Sequence, residues 1–247
     1  MLPLIRLGVI DSTQSFLARR PELGFCGVMA DAQTAGRGRG NNTWESGHGA
    51  GLWLSACLPL QVISRGTILQ AAMTAVVDVL APCGIPFGLK WPNDLVAYRQ
   101  SDEKEPEPSG INTQRGQIQH LVKIGGVIGE QKKDRVILGL GLNVFSAPEM
   151  PERAIPPSSL CALGAKNIPG LLDLAQRILS VWENLETYQA QRQIAFRWPD
   201  PGDEIRWGEG SGVCQGWATD GRLAVLTKSG LVHLASGDVS GVIAGAC

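Results

Sequence analysis

Two apolar segments of this chain, Leu121 to Ile128 and Arg135 to Val144, read as β-strands yet contain Gly125, Gly126, Gly139 and Gly141. Glycine weakens a strand because it packs no side chain, so its presence inside one points to a ligand or a second backbone passing close by. These two strands therefore mark a site as well as a sheet.

The rest of the first two hundred residues alternates strand and helix. Strands are expected at Leu4 to Ile10, Phe25 to Ala30 and Leu52 to Leu58, with a helix starting at Asp11-Ser12-Thr13-Gln14, where Asp or Ser can cap the first turn. Thr67 to Leu80 is a helix apolar almost all round, hence central and buried. Phe87 to Trp91 and Leu95 to Tyr98 flank a turn, Pro92-Asn93-Asp94, and a second helix follows the spacing of Leu171, Leu174, Ala175, Ile178, Trp182 and Leu185. Beyond Trp198-Pro199-Asp200-Pro201 the texture changes to short β runs, Glu204 to Trp207, Val213 to Ala218, Arg222 to Leu226 and Leu231 to Ala235. Hairpin turns at Asp220-Gly221 and Ser229-Gly230 join them. The expectation is a catalytic domain of residues 1–198 and a small β-barrel of residues 199–247 that leans on it. Ser101 to Gln117, charged and Pro-bearing, reads as an exposed surface insertion.

With 22 Lys and Arg against 23 Asp and Glu, the 247-residue chain has no global field to draw in nucleic acid or an anionic membrane, so any anion is bound locally. The long uncharged stretch Gly49 to Ser64 contains Pro59 and falls short of the roughly 20 apolar residues that span a bilayer. The amino terminus lacks the pattern of a secretory leader, so a cytoplasmic address is expected. Six cysteines, spread singly without a CxxC pair, read as buried thiols, and His48, His120 and His233 form no metal spacing.

Four polar signals interrupt this scaffold. Gly36-Arg37-Gly38-Arg39-Gly40 offers backbone N–H groups, permissive torsions and two guanidinium groups that can wrap an anion, although a basic glycine turn can equally be a solvated loop. It matches neither a P-loop nor a dinucleotide-binding fingerprint. Lys90-Trp91-Pro92-Asn93-Asp94 places an amide and a carboxylate at a rigid turn, a station for Mg²⁺, ribose or phosphate, or else an Asx-turn. Lys123-Ile124-Gly125-Gly126 sets an ammonium beside bare backbone, and Gly139-Leu140-Gly141-Leu142-Asn143 repeats that pattern with an amide at its tip. The local alternatives are an edge lysine in solvent and a tightly packed strand ending in a turn.

Taken in order, Asp11-Ser12-Thr13, Gln33 with Gly36-Arg37-Gly38-Arg39 and Trp44, Lys90 to Asp94, Lys123 to Glu130, Gly139 to Asn143 and a terminal β domain resemble the biotin protein ligases over nearly the whole chain. The resemblance implies an α+β fold, a mixed sheet with packed helices like that of class II aminoacyl-tRNA synthetases, followed by an SH3-like barrel. It also implies a two-step reaction: ATP and biotin form biotinyl-5′-AMP and pyrophosphate, and a lysine of a biotin carboxyl carrier protein of acetyl-CoA carboxylase then takes the biotinyl group. By that resemblance Ser12, Thr13 and Gln33 hydrogen-bond the ureido ring, Gly125 and Gly126 floor the bicycle, Gly36 and Arg37 belong with them to the biotin-binding set, and Arg37 helps to order the loop. Arg39 and Lys123 meet the carboxylate and α-phosphate as catalytic cations. Trp44 stacks on adenine, Asn143 reads its edge, and Asn93 and Asp94 serve the phosphates, Mg²⁺ or the incoming lysine. The loop is expected to be mobile without ligand and ordered with it.

Two departures stand out. The family loop runs GRGRxGRxW, whereas Gly40-Asn41-Asn42-Thr43-Trp44 lacks the later glycine and basic residue, and the insertion at Ser101 to Gln117 replaces a short turn. Because the Asp11-Ser12-Thr13 block starts so near residue 1, a monofunctional enzyme without a DNA-binding domain is expected. The alternatives are a lipoate ligase or octanoyltransferase, which share the architecture but need an apolar tunnel and, in the latter, a nucleophilic Cys, or a biotin- or RNA-binding module without chemistry.

Overall fold

The computed structural model describes residues 2–60, 65–99, 120–150, 152–188, 194–208 and 210–241. The expected surface insertion, Ser101 to Gln117, lies outside them. In chain order the main elements are β1 (Leu4–Ile10), α1 (Thr13–Arg19), β2 (Cys26–Gln33), β3 (Gly51–Pro59), α2 (Arg65–Leu80), β4 (Phe87–Lys90), β5 (Asp94–Tyr98), β6 (Leu121–Gln131), β7 (Arg135–Asn143), α3 (Leu171–Trp182) and β8 (Phe196–Trp198). There follow β9 (Glu204–Trp207), β10 (Gly210–Trp217), β11 (Leu223–Thr227), β12 (Gly230–Leu234) and β13 (Ser240–Gly241).

Strands β1 to β8 form one mixed sheet in the order β1-β2-β3-β7-β6-β5-β4-β8, parallel at its two outer pairs and antiparallel between. The central strands β3 and β7 alternate between the two faces of the sheet. Leu52, Leu54, Ala56 and Leu58 on β3 and Leu138, Leu140 and Leu142 on β7 point into a core with Ala72, Met73 and Val76 of α2 and Leu174, Ile178 and Trp182 of α3. Trp182 is fully buried and its indole N–H donates to the Ala72 carbonyl at 3.1 Å, so α3 is fastened to α2 as well as packed on it. On the opposite face α1 covers only one end, through Leu17 against Cys26, Val28, Cys57 and Ile137. The rest of that face is left for the site.

The second sheet is antiparallel, ordered β12-β11-β10-β9-β13. It forms an SH3-like appendage whose core, Ile205, Cys214, Leu223 and Val225, takes in Trp91 and Trp198 from the edge of the large sheet. The Trp91 indole N–H also donates to the Gly221 carbonyl at 3.1 Å. The small unit thus completes its core with tryptophans borrowed from its neighbour, as its size requires.

Strand β8, which pairs in parallel with β4 and closes the sheet, has no sign in the sequence. Three residues are too few to show a period. The cysteines are not uniformly buried: Cys26, Cys57, Cys83 and Cys214 are, but Cys161 is exposed. Burial pushes the Cys26, Cys57 and Cys83 thiols up and that of Cys214 to about 11, so these four are poor nucleophiles near neutral pH.

β8 meets β4 at very short range. A Cβ on Gly88 would lie 2.4 Å from the Phe196 ring, which itself packs at 4.4 Å, centroid to centroid, on Tyr98. Gly88→Ala should therefore destabilise the protein by about 1–3 kcal/mol. A second substitution, Phe196→Leu, should recover part of that loss in urea unfolding, and additive losses in the double variant would show that the two residues do not meet.

Candidate active site

The open face of the sheet is set by an irregularity in β6. Its register against β5 slips between Leu95 and Val96, and the bulge leaves Val122, Ile124 and Val127 on the helix-covered core while Lys123 and Gly126 share the open side. A Cβ on Gly126 would come 3.5 Å from Asp94 Oδ1 and 3.7 Å from Lys123 Cε. Gly125 differs: its absent Cβ would meet the Gly141 carbonyl at 2.7 Å and Leu142 and Leu95 at 3.2 and 3.3 Å, so the sheet itself demands glycine there. The backbone of Lys123 is locked from the side by a segment the sequence reading passed over. Its N–H donates to Pro156 O at 2.9 Å and its carbonyl accepts from Ser158 N at 2.8 Å.

Three charged side chains meet over this surface. Lys123 Nζ lies 2.6 Å from Asp94 Oδ1, and Lys90 Nζ lies 4.0 Å from Asp94 Oδ2. Two ammonium groups thus share one carboxylate. Lys90 is buried at the end of β4, with its ammonium 5.3 Å from the Trp198 ring, and burial lowers its pKa despite Asp94 beside it. Lys123 and Arg39 add repulsion at Lys90, which shows that loop and sheet cations reach the same region. Asn93 is buried at the turn, and its carbonyl accepts from Val127 N at 2.9 Å.

The glycine-arginine loop is folded over the site as a small hairpin. Trp44 N donates to Gly36 O at 2.9 Å, Gly38 N to Asn42 O at 2.8 Å, and Arg37 bridges Thr43. Gly36 is indispensable at the base, since a Cβ there would sit 2.3 Å from the Trp44 carbonyl, and Gly40 at the tip takes φ +62°. Trp44 lies flat against β7: a Cβ on Gly141 would come 2.4 Å from its indole ring, and Lys123 Nζ is 5.2 Å from the ring centroid. Arg37 reaches Glu130 at 3.1 Å, and Lys132 and Arg37 together hold the Glu130 carboxyl below its usual range. Arg39 pairs with Asp238 of the small sheet, a partner that nothing in the local sequence announces.

Asn143, two residues beyond Gly141 on the same face, donates through Nδ2 to Ser158 O at 3.1 Å and keeps a buried Oδ1 with no partner among the described residues. Arg39 Nη1 and Trp44 Nε1 are buried and unpartnered in the same sense. Polar atoms left in that state are rare in folded proteins and mark places where something else binds. At the α1 end, Ser12 caps the helix, accepting from Ser15 N, and Thr13 N donates to Gln33 Oε1 at 2.8 Å. The structure therefore brings Ser12, Thr13 and Gln33 together at one end of the open face and Arg39, Trp44, Lys123, Asp94 and Asn143 at the other. Lys90, Ser55, Gln14 and Ser158 are additions that sequence reading missed. Only Lys90 carried a signal, as the one cation of its motif.

The charge arrangement yields a pH test. Because Lys90 has its pKa lowered by burial, the unfolded chain binds its proton more tightly, and that difference costs stability below the folded-state pKa and fades as pH rises through it toward 10.5. Lys90→Met should be more stable than the parent at pH 7, by a few degrees in Tm, with the gap narrowing above pH 9. A gap that stays constant with pH would place the effect in packing instead.

Residues 9–143, more than half of the chain, match the biotin/lipoate A/B protein ligase family. The bifunctional ligase/repressor BirA of Bacillus spizizenii is 36% identical over 148 residues, covering 57% of this chain and 40% of that protein. The biotin–[acetyl-CoA-carboxylase] ligase of Mycobacterium tuberculosis is 35% identical over 129 residues, 49% of this chain and 40% of that one. The match thus spans about two fifths of the length of these relatives. Among solved structures, the biotin protein ligase from Aquifex aeolicus in complex with biotin and ATP superposes with a TM-score of 0.69 at 25% identity, covering 97% of this chain and 98% of that one. No described helix is long and apolar enough to cross a membrane. The fold, the site and the match over residues 9–143 agree: the chain belongs to the biotin/lipoate A/B protein ligase family.

Proposed function

We propose that this protein is an ATP-dependent biotin protein ligase, with residues 1–198 as catalytic domain and residues 199–247 as an appended barrel. The observation that carries this reading is the set of unpartnered buried polar atoms, Arg39 Nη1, Trp44 Nε1 and Asn143 Oδ1, on the open face where Lys123 and Lys90 outnumber Asp94. Such a surface fits a polyanion joined to a flat heterocycle. Trp44 would offer its face to adenine and Asn143 Oδ1 would accept from the adenine amine. Arg39 and Lys123 would meet the biotin carboxylate and the α-phosphate, with Arg37 steadying the loop through Glu130. Ser12, Thr13 and Gln33 would hold the ureido ring, with Gly126 and its neighbour Gly125 in the strand beneath the bicycle.

The reaction brings two anions together. The biotin carboxylate oxygen attacks the α-phosphorus, the bond to the bridging oxygen breaks, and pyrophosphate leaves with that electron pair. Fixed cations screen the approach and stabilise the charge that builds at phosphorus. Lys123 suits this role because its backbone is pinned on both sides, so little reorganisation is needed. The acceptor lysine, from a biotin carboxyl carrier protein, then attacks the acyl carbon as a neutral amine and AMP departs. Asp94, at the turn, would receive its proton, with Asn93 beside it as a hydrogen-bonding neighbour.

Mg²⁺ has no cage of its own here: no group of three His, Cys, Asp or Glu side chains among the described residues could hold a metal, and both Asp94 oxygens face ammonium groups. We derive no step through it; it would arrive on the ATP phosphates. A cytoplasmic setting accompanies this reading, since ATP is a substrate. The octanoyltransferase alternative loses ground because the relatives are named as ligases; burial keeps the thiols of Cys26, Cys57, Cys83 and Cys214 protonated, while Cys161 is exposed.

Purified protein with biotin and MgATP should release pyrophosphate and label a carrier-domain lysine. Lys123→Ala should reduce adenylation by about 10²–10³-fold with unchanged far-UV circular dichroism. Lipoate or octanoate outperforming biotin would reverse the assignment. Backbone amides from Gly36 to Thr43 should gain protection when biotin and ATP are added, because the hairpin is tied down by solvent-screened pairs of Arg37 and Arg39 and by Trp44 on Gly141, to which ligand contacts would add; equal exchange in both states would remove the loop from the mechanism.

A further inference from the structure

A chain of buried hydrogen bonds runs beneath the α1 end of the site, and its direction can be deduced. It begins at the Ile137 carbonyl, which can only accept, and Gln14 Nε2 donates to it at 2.9 Å. That contact orients the Gln14 amide, turning Oε1 toward Ser55, whose hydroxyl donates to it at 3.2 Å. Ser55 has a single proton, and with that proton on Gln14 Oε1 the 2.8 Å contact between Ser55 Oγ and Thr13 Oγ1 has Thr13 as its donor. Gln33 Oε1, which accepts from Thr13 N at 2.8 Å, is a second and longer acceptor for the same Thr13 proton at 3.1 Å, and both acceptors lie within the protein. Gln33 Nε2 donates to Ser46 Oγ at 2.7 Å, and Ser46 donates onward to the Trp44 carbonyl at 3.3 Å. Gly139 admits the relay into the sheet, because a Cβ there would lie 2.6 Å from Gln14 Oε1.

The consequence is chemical. The one hydroxyl proton of Thr13 is committed inside the protein, so toward a ligand Thr13 offers lone pairs. The neighbouring Ser12 is the reverse case: its oxygen accepts from Ser15 N, and its proton has no partner among the described residues. An acceptor next to a donor matches an N–H next to a carbonyl.

We propose that Ser55 and Gln14 are positioning residues that make Thr13 an obligate hydrogen-bond acceptor, so that this end of the site selects a small neutral ring presenting an N–H. The inference rests on the biotin reading and deepens it, since the ureido ring offers an N–H beside a carbonyl and the end of an acyl chain offers neither. A ligand with an oxygen at that place would set lone pair against lone pair in a buried pocket, the costly arrangement for polar groups.

The test uses titration calorimetry of the full chain with biotin and with the two biotin analogues in which one or the other ureido N–H is replaced by oxygen. These are isosteric with biotin and differ only in donor capacity. The parent should prefer biotin over the analogue lacking the Thr13-facing N–H by about tenfold or more. Ser55→Ala leaves the Thr13 proton only the longer contact to Gln33, so it should bind biotin more weakly while accepting that analogue relatively better, and the preference should fall several-fold. Ser55→Thr, which keeps a hydroxyl, should restore it. Gln14→Met, similar in volume but without the amide, should lower the preference in the same direction and serves where Ser55→Thr does not fold. A preference unchanged in Ser55→Ala and Gln14→Met, or affinities for biotin and analogue lost in parallel, would overturn the relay while leaving the biotin assignment standing. Absence of biotin binding by the parent, with lipoate or octanoate bound instead, would instead remove the functional reading on which the relay depends.

Discussion

One carboxylate shared by two ammonium groups governs the architecture of this site. Asp94 meets Lys123 at 2.6 Å and Lys90 at 4.0 Å, and without it two cations on adjacent elements of a half-buried surface would repel one another. The arrangement is only partly neutralised, and that residue of positive charge is what a polyphosphate would complete. It depends in turn on the bulge in β6, which puts Lys123 and Gly126 on the same side, and on Pro156 and Ser158, which tie down both polar groups of the Lys123 backbone. The chain accepts a desolvated Lys90 to achieve it, a stability cost of the kind that functional sites retain.

The loop solves a second problem with the same economy of parts. Its hairpin bonds give it a preferred fold, while Trp44 on Gly141 and Arg39 on Asp238 attach it at two ends, one in the large sheet and one in the small. Neither attachment is strong. Asp238 is 82% exposed, so its pair with Arg39 is screened by solvent, and the Trp44 indole N–H is unpartnered. A cover held this loosely can open for substrates and close on them. The altered tip, Gly40-Asn41-Asn42, leaves Arg37 and Arg39 as the loop cations and makes the contribution of the small sheet at Asp238 more consequential.

Much of this was legible in one dimension because local chemistry enforces it. The apolar run of β7, the all-round apolar α2 and the Ser12 cap are short-range facts, and the motif order carried the family resemblance. Glycines were harder. The four singled out in β6 and β7 signalled close approach, yet what approaches differs at each: a neighbouring backbone at Gly125, the Asn93 and Asp94 turn at Gly126, the Gln14 amide at Gly139 and the Trp44 ring at Gly141. A missing Cβ announces proximity without naming the neighbour. Strand β8 was invisible for the opposite reason, being too short to have a period.

Residue types and their order by themselves determined the class of fold, the cations at hand and the polar residues Ser12, Thr13 and Gln33, since periodicity, capping and motif spacing are properties of neighbours along the chain. Only the tertiary structure decided how those groups pair: that Asp94 lies between two lysines, that Arg39 finds an acid 199 residues away, and that the Thr13 hydroxyl meets Ser55 at 2.8 Å. Pair distances and proton directions depend on strand register and on which side chains share a buried face. Those are fixed when distant segments pack, and no local pattern encodes them.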